Sequence, residues 1–334
     1  MNQPELRKIS ADTPFSLKTF FLKWEWFLLL IFIGINVMNS LISPYYLSVN
    51  GLFTATNSFL EKAFIALSMV FVLIIGEIDI SVASIVALSS VVMAESYNKL
   101  GLPMGLALVV CLLVGSLCGF LNGLILTRFR ELAPMIVTLG TQILYRGIAL
   151  IILGDQASGG FTSIKWYSNF YWGKIGPVPY MFIAFAVLAV IMGFILHKTT
   201  FGKRLYAIGS NRVAAKYAGI RVERSRLVVY TLSGLFSAIT AIFLVARMGS
   251  TRPNVAIGYE LDVISMCVLG GILTDGGKGN FVGAVISIFT IGLLRYGLGL
   301  INVQSQLMMV IIGALLIIAV MAPHLKPKRR LKSD

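Results

Sequence analysis

About ten apolar blocks divide this chain, most of them close to the roughly 17–25 residues a helix needs to cross about 30 Å of hydrocarbon. They fall at 24–43, 51–76, 80–96, 103–126, 132–153, 178–197, 227–246, 261–273, 281–299 and 304–322. A helix in a soluble core is shorter and keeps a polar face. The pattern therefore predicts an all-α, polytopic integral membrane protein with about ten transmembrane helices. The eighth block is short for a full crossing, so a re-entrant or broken helix is expected there. Composition agrees: 57% of the 334 residues are hydrophobic and 13% are charged, against about a quarter charged in soluble domains.

The net charge of +14 raises the possibility of a nucleic-acid binder, and its distribution argues against one. Lys and Arg gather near the N-terminus, in the connections 127–131 and 198–226, and in the tail from Lys326 to Lys332. That is the positive-inside pattern of a membrane protein. It places both termini and the basic loops in the cytoplasm, and the loop 154–177 outside. The expected organisation is a cytoplasmic N-terminal segment at 1–23, a membrane domain at 24–322 that carries the cytoplasmic loop 198–226, and a basic cytoplasmic tail at 323–334. No cleavable signal pattern is evident. Cys111, Cys118 and Cys267 all sit in apolar segments, as small buried hydrophobes do.

Two loops stand out. The outer one, 154–177, is rich in aromatics, including Phe161, Trp166, Tyr167, Phe170, Tyr171 and Trp172, and reads as an interfacial belt or a partner-docking surface. The cytoplasmic loop 198–226 is too long for a turn. Within it Ser210–Ile220 reads as a short helix, capped by Ser210 or Asn211 and ended by Gly219 at C′. Ala214 and Ala215 give that helix a small-residue face.

No phosphate-binding G-x-x-x-x-G-K-[ST] motif is present. The stretch Gly271–Gly279 comes nearest but has Ile272 and Gly279 at the wrong positions. The only histidines, His197 and His324, lie at helix ends, so neither a metal site nor a Ser-His-Asp triad is expected. No catalytic residue, no metal site and no cofactor bound by the chain itself is predicted. What requires explanation is the pair Glu77 and Asp79 inside an otherwise apolar run, because carboxylates in hydrocarbon are costly. They could be a coupling-ion site. They could instead organise a helix break, with Asp79 and Ser81 accepting the free N–H groups that open the next helix.

Four motifs, in order along residues 24–322, carry a resemblance. They are Gly76-Glu77-Ile78-Asp79-Ile80-Ser81-Val82; Ile136–Thr141 followed by Tyr145-Arg146-Gly147; Gly209-Ser210-Asn211 with Ala214-Ala215 and Gly219-Ile220; and Glu260-Leu261-Asp262, then Val268–Gly271 and Gly276–Gly279. The chain resembles the permease subunits of bacterial ABC importers for ribose and related sugars, a group that includes rhamnose and autoinducer-2 permeases. It departs from them at Ala83, where such proteins usually carry Gly. Branched-chain amino-acid permeases share the wider superfamily.

The resemblance implies a transport subunit in the bacterial cytoplasmic membrane. Its partners would be a second permease chain, identical or sister, two cytoplasmic ATPase subunits that hold ATP-Mg, and an extracytoplasmic binding protein. It also implies that Asn211, Arg212, Ala214, Ala215, Lys216 and Gly219 form the helix that couples to the ATPase.

The opening pattern recurs: Glu77-Ile78-Asp79-Ile80 with Ser81 is echoed by Glu260-Leu261-Asp262-Val263 with Ser265. In the expected topology the two copies lie on opposite sides, as an inverted repeat would place them. Gly76, Glu77, Asp79, Ser81, Glu260 and Asp262 are therefore expected at helix breaks. Asn57, Asn122, Thr138, Thr141 and Tyr145 are expected to line a pathway for a neutral polyhydroxylated solute. Two alternatives stand beside the sugar importer: an ABC permease for amino acids or nucleosides, and an ion-coupled secondary carrier.

Overall fold

The computed structural model describes residues 24–321, so the expected N-terminal segment 1–23 and the tail 323–334 lie outside the described residues. Fourteen α-helices account for most of them: α1 (Trp24–Ile42), α2 (Val49–Asn57), α3 (Leu60–Ile74), α4 (Val82–Asn98), α5 (Met104–Arg128), α6 (Pro134–Leu153), α7 (Lys165–Trp172), α8 (Tyr180–Lys198), α9 (Thr200–Ser210), α10 (Arg212–Tyr217), α11 (Val222–Met248), α12 (Tyr259–Leu269), α13 (Phe281–Leu300) and α14 (Ser305–Met321). Four two-residue strands form two antiparallel pairs. In one, β1 (Ser158–Gly159) pairs with β4 (Ser250–Thr251); in the other, β2 (Lys174–Ile175) pairs with β3 (Val178–Pro179).

Every one of the ten apolar blocks contains a helix. Among the described residues five helices are long and apolar enough to cross a membrane: α5, α6, α8, α11 and α13. The pair α2–α3 makes a sixth if counted as one span. The count of ten is not reached on length: α4 and α14 have 17 residues each and α12 has 11. At 1.5 Å per residue α12 is only about 16 Å long.

The block 51–76 is not one continuous helix. It bends by 64° between α2 and α3. The Ser58 N–H and hydroxyl both turn back to the Ala55 carbonyl, at 3.3 and 2.7 Å. A serine that spends its hydroxyl on the preceding turn competes with helix continuation.

Helix α3 is the hub of the molecule. All 15 of its residues are buried, and it packs on α8, α11, α12 and α13. A helix that is apolar all round beyond its first turn belongs in such a position, and its two first-turn charges, Glu61 and Lys62, are both paired. Helices α5 and α11 cross in close contact. A Cβ at Gly119 would lie 2.2 Å from the Tyr230 carbonyl oxygen, and one at Gly234 would lie 2.0 Å from that of Gly115. Small residues let backbones approach this closely where no hydrophobic force draws helices together.

The loop 154–177 is folded rather than draped as a belt. Tyr167 and Phe161 are buried, with Tyr167 donating to the Ile242 carbonyl at 2.8 Å. Trp166 and Trp172 remain exposed. The aromatics therefore divide into an inner set that fastens the loop to α11 and an outer set open to the surroundings.

Candidate functional site

Seven residues, 75–81, separate α3 from α4, and both acids of the opening motif lie there. Glu77 is 2% exposed and Asp79 is 0% exposed. Carboxylates so buried must be paired and hydrogen-bonded, and each has its own set of partners.

Glu77 collects charge. Arg226 of α11 approaches with its Nε 2.8 Å from Oε1 and 2.9 Å from Oε2. Tyr230, one turn further along α11, donates to Oε2 at 3.0 Å. Arg212, the first residue of α10, donates to Oε1. A second N–H of Arg226 reaches the Leu126 carbonyl at the end of α5. Glu77 thus binds the break, α11 and α10 together. The Arg226 side chain is 5% exposed and that of Arg212 43%, so one partner is fixed in the interior and the other stands at the surface.

Asp79 collects hydroxyls. Its Oδ1 accepts from the Ser81 N–H at 3.0 Å and the Ser81 hydroxyl at 2.6 Å, and its Oδ2 accepts from Ser233 at 2.8 Å. Asn122 donates to Ser81 Oγ at 2.8 Å, and the Tyr145 hydroxyl lies 2.9 Å from Asn122 Oδ1. Thr138 Oγ1 accepts from the Ile80 N–H at 3.2 Å and lies 3.3 Å from the Ile78 carbonyl. The hydroxyl of Thr141 donates to the Thr138 carbonyl at 3.2 Å. Ser81 itself caps no N–H of α4 with its side chain; Asp79 holds the approach to the helix instead.

Four of the five residues expected to line a pathway therefore meet here, but as buried bracing for the break, their polar groups spent on one another and on backbone. Asn57 is apart from them. It ends α2, and Tyr171 donates to its carbonyl at 3.2 Å.

The loop 198–226 holds two helices, of which the first, α9, was not anticipated. Thr199 caps α9 through the Gly202 N–H at 3.3 Å. Asn211 caps α10 through the Ala214 N–H at 2.9 Å, and Gly219 follows with φ of +80°. The seat of this unit is glycine-made. Gly277 N–H donates to the Ile74 carbonyl at 2.8 Å. A Cβ on Gly209 would lie 1.9 Å from that same oxygen, and one on Gly277 would lie 2.5 Å from Ser210 Oγ. Tyr206 of α9 donates to the Gly279 carbonyl at 2.8 Å, and burial raises its phenol above the usual value, keeping it a neutral donor. The glycines of the phosphate-loop look-alike serve this contact.

Around α10, Ala215 is buried against its own chain, while Ala214, Lys216 and Gly219 are exposed and Val213 and Tyr217 are 65% and 90% exposed. The small-residue face is thus split: Ala215 fastens α10 inward and cannot present a surface. A groove of about 520 Å³ runs between α10 and the 127–131 turn, lined by Arg130, Arg212, Lys216, Tyr217, Glu223 and Arg226 among others.

The second acidic pair differs from the first in backbone and in partners. Glu260 and Asp262 lie within the first turn of α12, not before it. Asp262 pairs with Lys62 of α3 at 2.8 Å and with Arg295 of α13. Glu61 of α3 pairs with Arg247 at 2.7 Å and accepts from Tyr259 at 2.8 Å. Glu260 accepts from Gln142 at 3.3 Å.

Arg226, Tyr230 and Ser233 were missed as site residues. Their spacing of four and three puts them on one face of α11, and a charged and two hydroxylated residues on one stripe of an apolar helix was the available signal.

No solved structure matches the chain. Curated proteins do. The chain is 35% identical over 290 residues to a ribose import permease protein of Bacillus subtilis, covering 87% of this chain and 89% of that one. It is 33% identical over 301 residues to an autoinducer 2 import system permease protein of Photorhabdus laumondii, covering 89% and 90%. To a further autoinducer 2 import system permease protein, of Enterobacter sp., it is 31% identical over 312 residues, covering 92% and 95%. Residues 51–320 match the family described as the permease component of the branched-chain amino acid transport system. With coverage this long and a helical membrane architecture, the chain belongs to that family of transport-system permease components.

Proposed function

We propose that this chain is the transmembrane subunit of an ABC importer. It forms part of the pathway for a sugar or related furanoid compound, of the ribose, rhamnose or autoinducer-2 class, with ATP-Mg hydrolysed on separate subunits. The observation that carries the reading is the tie between Arg212 on α10 and Glu77 in the α3–α4 break. It gives the 198–226 loop a direct charged link to the buried break between two packed helices. Coupling needs a discrete element that two sites can both bias, and the break is such an element. The names of the ribose and autoinducer 2 permeases support the solute class.

In this reading the ten helical blocks act as ten crossings or part-crossings, with α12 a re-entrant piece. Both termini and the α9–α10 unit lie in the cytoplasm of a bacterium and the chain sits in its inner membrane. A second permease chain, two ATPase subunits and an extracytoplasmic binding protein complete the assembly. The exposed residues Asn211, Arg212, Ala214, Lys216 and Gly219 meet the ATPase, along with Val213 and Tyr217. An inverted repeat is supported by the positive-φ glycine just ahead of each acidic pair, Gly76 and Gly258. Asn122, Thr138, Thr141 and Tyr145 brace the pathway wall from behind.

Purified assembly in proteoliposomes tests this. Uptake of ribose that needs ATP and stops with vanadate supports it. Uptake by this chain without an ATPase subunit overturns it in favour of a secondary carrier.

A further inference from the structure

Between the last turns of α8 and the start of α13 lies a groove of about 460 Å³. Val190, Gly193 and Phe194 form one wall, and Phe281, Val282 and Val285 form the other. Gly193 makes the room. A Cβ there would already stand 3.1 Å from the ring of the buried Phe281, so the missing side chain leaves open the space above that ring. Val190, Phe194 and Val282 are exposed and give the groove an apolar rim.

The groove has two unlike ends. Toward the start of α8, Phe182 and Phe185 meet Phe289 of α13 with ring centroids 6.4 and 6.0 Å apart, and these rings close the seam between the helices. The other end opens beside His197 and Lys198. His197 Nε2 accepts the Phe281 N–H at 3.4 Å, so a neutral ring carries its proton on Nδ1 and keeps one donor for the mouth. Lys198, Lys203 and Arg204 are exposed, and among the described residues no carboxylate pairs with any of them. From Ala189 to Lys198 the groove follows α8 for about 14 Å at 1.5 Å per residue, half of a hydrocarbon core about 30 Å thick. A transmembrane helix of a partner chain runs through the whole thickness. A groove sealed halfway by phenylalanine rings suits a ligand confined to one leaflet, with a charged head and an apolar tail.

We propose that this groove holds an anionic glycerophospholipid, with one acyl chain lying against Gly193 and Phe281 and the phosphate at Lys198 and His197. Basic pockets between helices on the cytoplasmic side take acidic headgroups in this way. The site adjoins the α9–α10 unit. Helix α8 passes through Thr199 straight into α9, and Tyr206 of α9 holds the Gly279 carbonyl two residues ahead of Phe281. A lipid in the groove therefore braces both chain segments that frame the seat of that unit. The inference rests on the import reading above for its orientation alone, which puts Lys198 at the cytoplasmic leaflet.

Native mass spectrometry of the full chain, titrated in detergent with phosphatidylglycerol or phosphatidylcholine, tests it. The expected result is one phosphatidylglycerol retained per chain under conditions that strip phosphatidylcholine. Lys198→Gln should weaken retention about fivefold, the scale of one basic residue at an anionic surface, and Lys198→Glu should weaken it further. Gly193→Leu, whose side chain fills the groove, should abolish it; the two Lys198 variants, changed at an exposed position, keep the test decisive if Gly193→Leu does not fold. Equal retention of the two lipids, or phosphatidylglycerol retention that neither Lys198 variant weakens, overturns the site. Glycerol phosphate bound as firmly as the lipid overturns the acyl-chain contact. Disulfide crosslinking of Phe194→Cys to a second permease chain overturns the lipid in favour of an interface between chains. None of these readouts requires transport, so they hold if ribose proves the wrong solute. In sealed vesicles, an impermeant thiol reagent that reaches Lys198→Cys only from the outer face overturns the orientation instead.

Discussion

Arg212 and Glu77, 135 residues apart in sequence, form an ion pair that joins an exposed six-residue helix to a carboxylate buried in the core. Glu77 is held from the other side by Arg226, which is itself buried. The two arginines therefore have different physical roles on one acid, and substitutions should separate them.

Arg226→Ala removes the interior partner and leaves Glu77 with only a half-exposed counter-charge. Breaking a buried pair by removing one member costs about 3–5 kcal/mol. Reduced yield and a lowered unfolding midpoint in detergent are expected. Arg212→Ala takes away a partner with a half-exposed side chain, and solvent screening keeps the stability change to about 0–1 kcal/mol. The same thermal measurement on both variants checks the contrast.

Asp79→Asn keeps an acceptor for the Ser81 N–H and hydroxyl, and the Ser233 hydroxyl can rotate to accept rather than donate. Near-normal assembly and retained transport are expected. Asp79→Ala leaves three buried donors without a partner, at about 1–3 kcal/mol for each group left unsatisfied, and should fail to accumulate. Loss of uptake in Asp79→Asn with intact folding would favour a titrating role over bracing. Membrane accumulation and ribose uptake of both variants decide between them.

The glycines of the α9–α10 unit should behave in opposite ways. Gly209→Ala would drive a methyl to 1.9 Å from the Ile74 carbonyl, so the seat must open and assembly with the ATPase should be lost. At Gly219 nothing lies within 4 Å of the place a methyl would take, and the φ of +80° is the only constraint. Gly219→Ala should cost about 1–2 kcal/mol of backbone strain. Gly219→Trp should leave the permease folded and block ATPase recruitment. Co-purification of the ATPase measures each case.

Asp262→Asn leaves Lys62 and Arg295 facing each other across α3, α12 and α13 without their shared acid. With Lys62 buried, a loss of about 3–5 kcal/mol is expected. A matching loss should follow Lys62→Met if the pair acts as a unit, and a smaller one if the site can be repacked with apolar groups. Denaturation in detergent distinguishes the two.

Much of this architecture was legible in the residues. Apolar block length located every long helix, because hydrocarbon thickness sets a length that chance rarely produces. The caps of α10 were legible because Asn211 and Gly219 have local backbone roles. The break at Ser58–Phe59 was not, because no Pro or Gly marks it and the polar residues beside it, Thr56, Asn57, Glu61 and Lys62, did not interrupt the apolar block enough to divide it. Nor was Glu77's set of partners visible: the spacing of Arg226 and Tyr230 marks a polar stripe on α11, but nothing in it points to an acid 149 and 153 residues earlier. The polar residues Asn122, Thr138, Thr141 and Tyr145 were recognisable as a set, but whether such a set faces water or its own chain depends on packing. The structure turns them inward, onto Ser81, the Cys118 carbonyl and one another.

Uptake per ATP hydrolysed in proteoliposomes, compared between the unmodified assembly and Arg212→Ala, tests the coupling claim most directly. The pairing of Arg212 with Glu77 predicts that the variant still binds its ATPase and hydrolyses ATP, while ribose imported per ATP falls by up to about fivefold, the scale of a solvent-screened pair of about 1 kcal/mol. An unchanged ratio of transport to hydrolysis, with both activities intact, would contradict it.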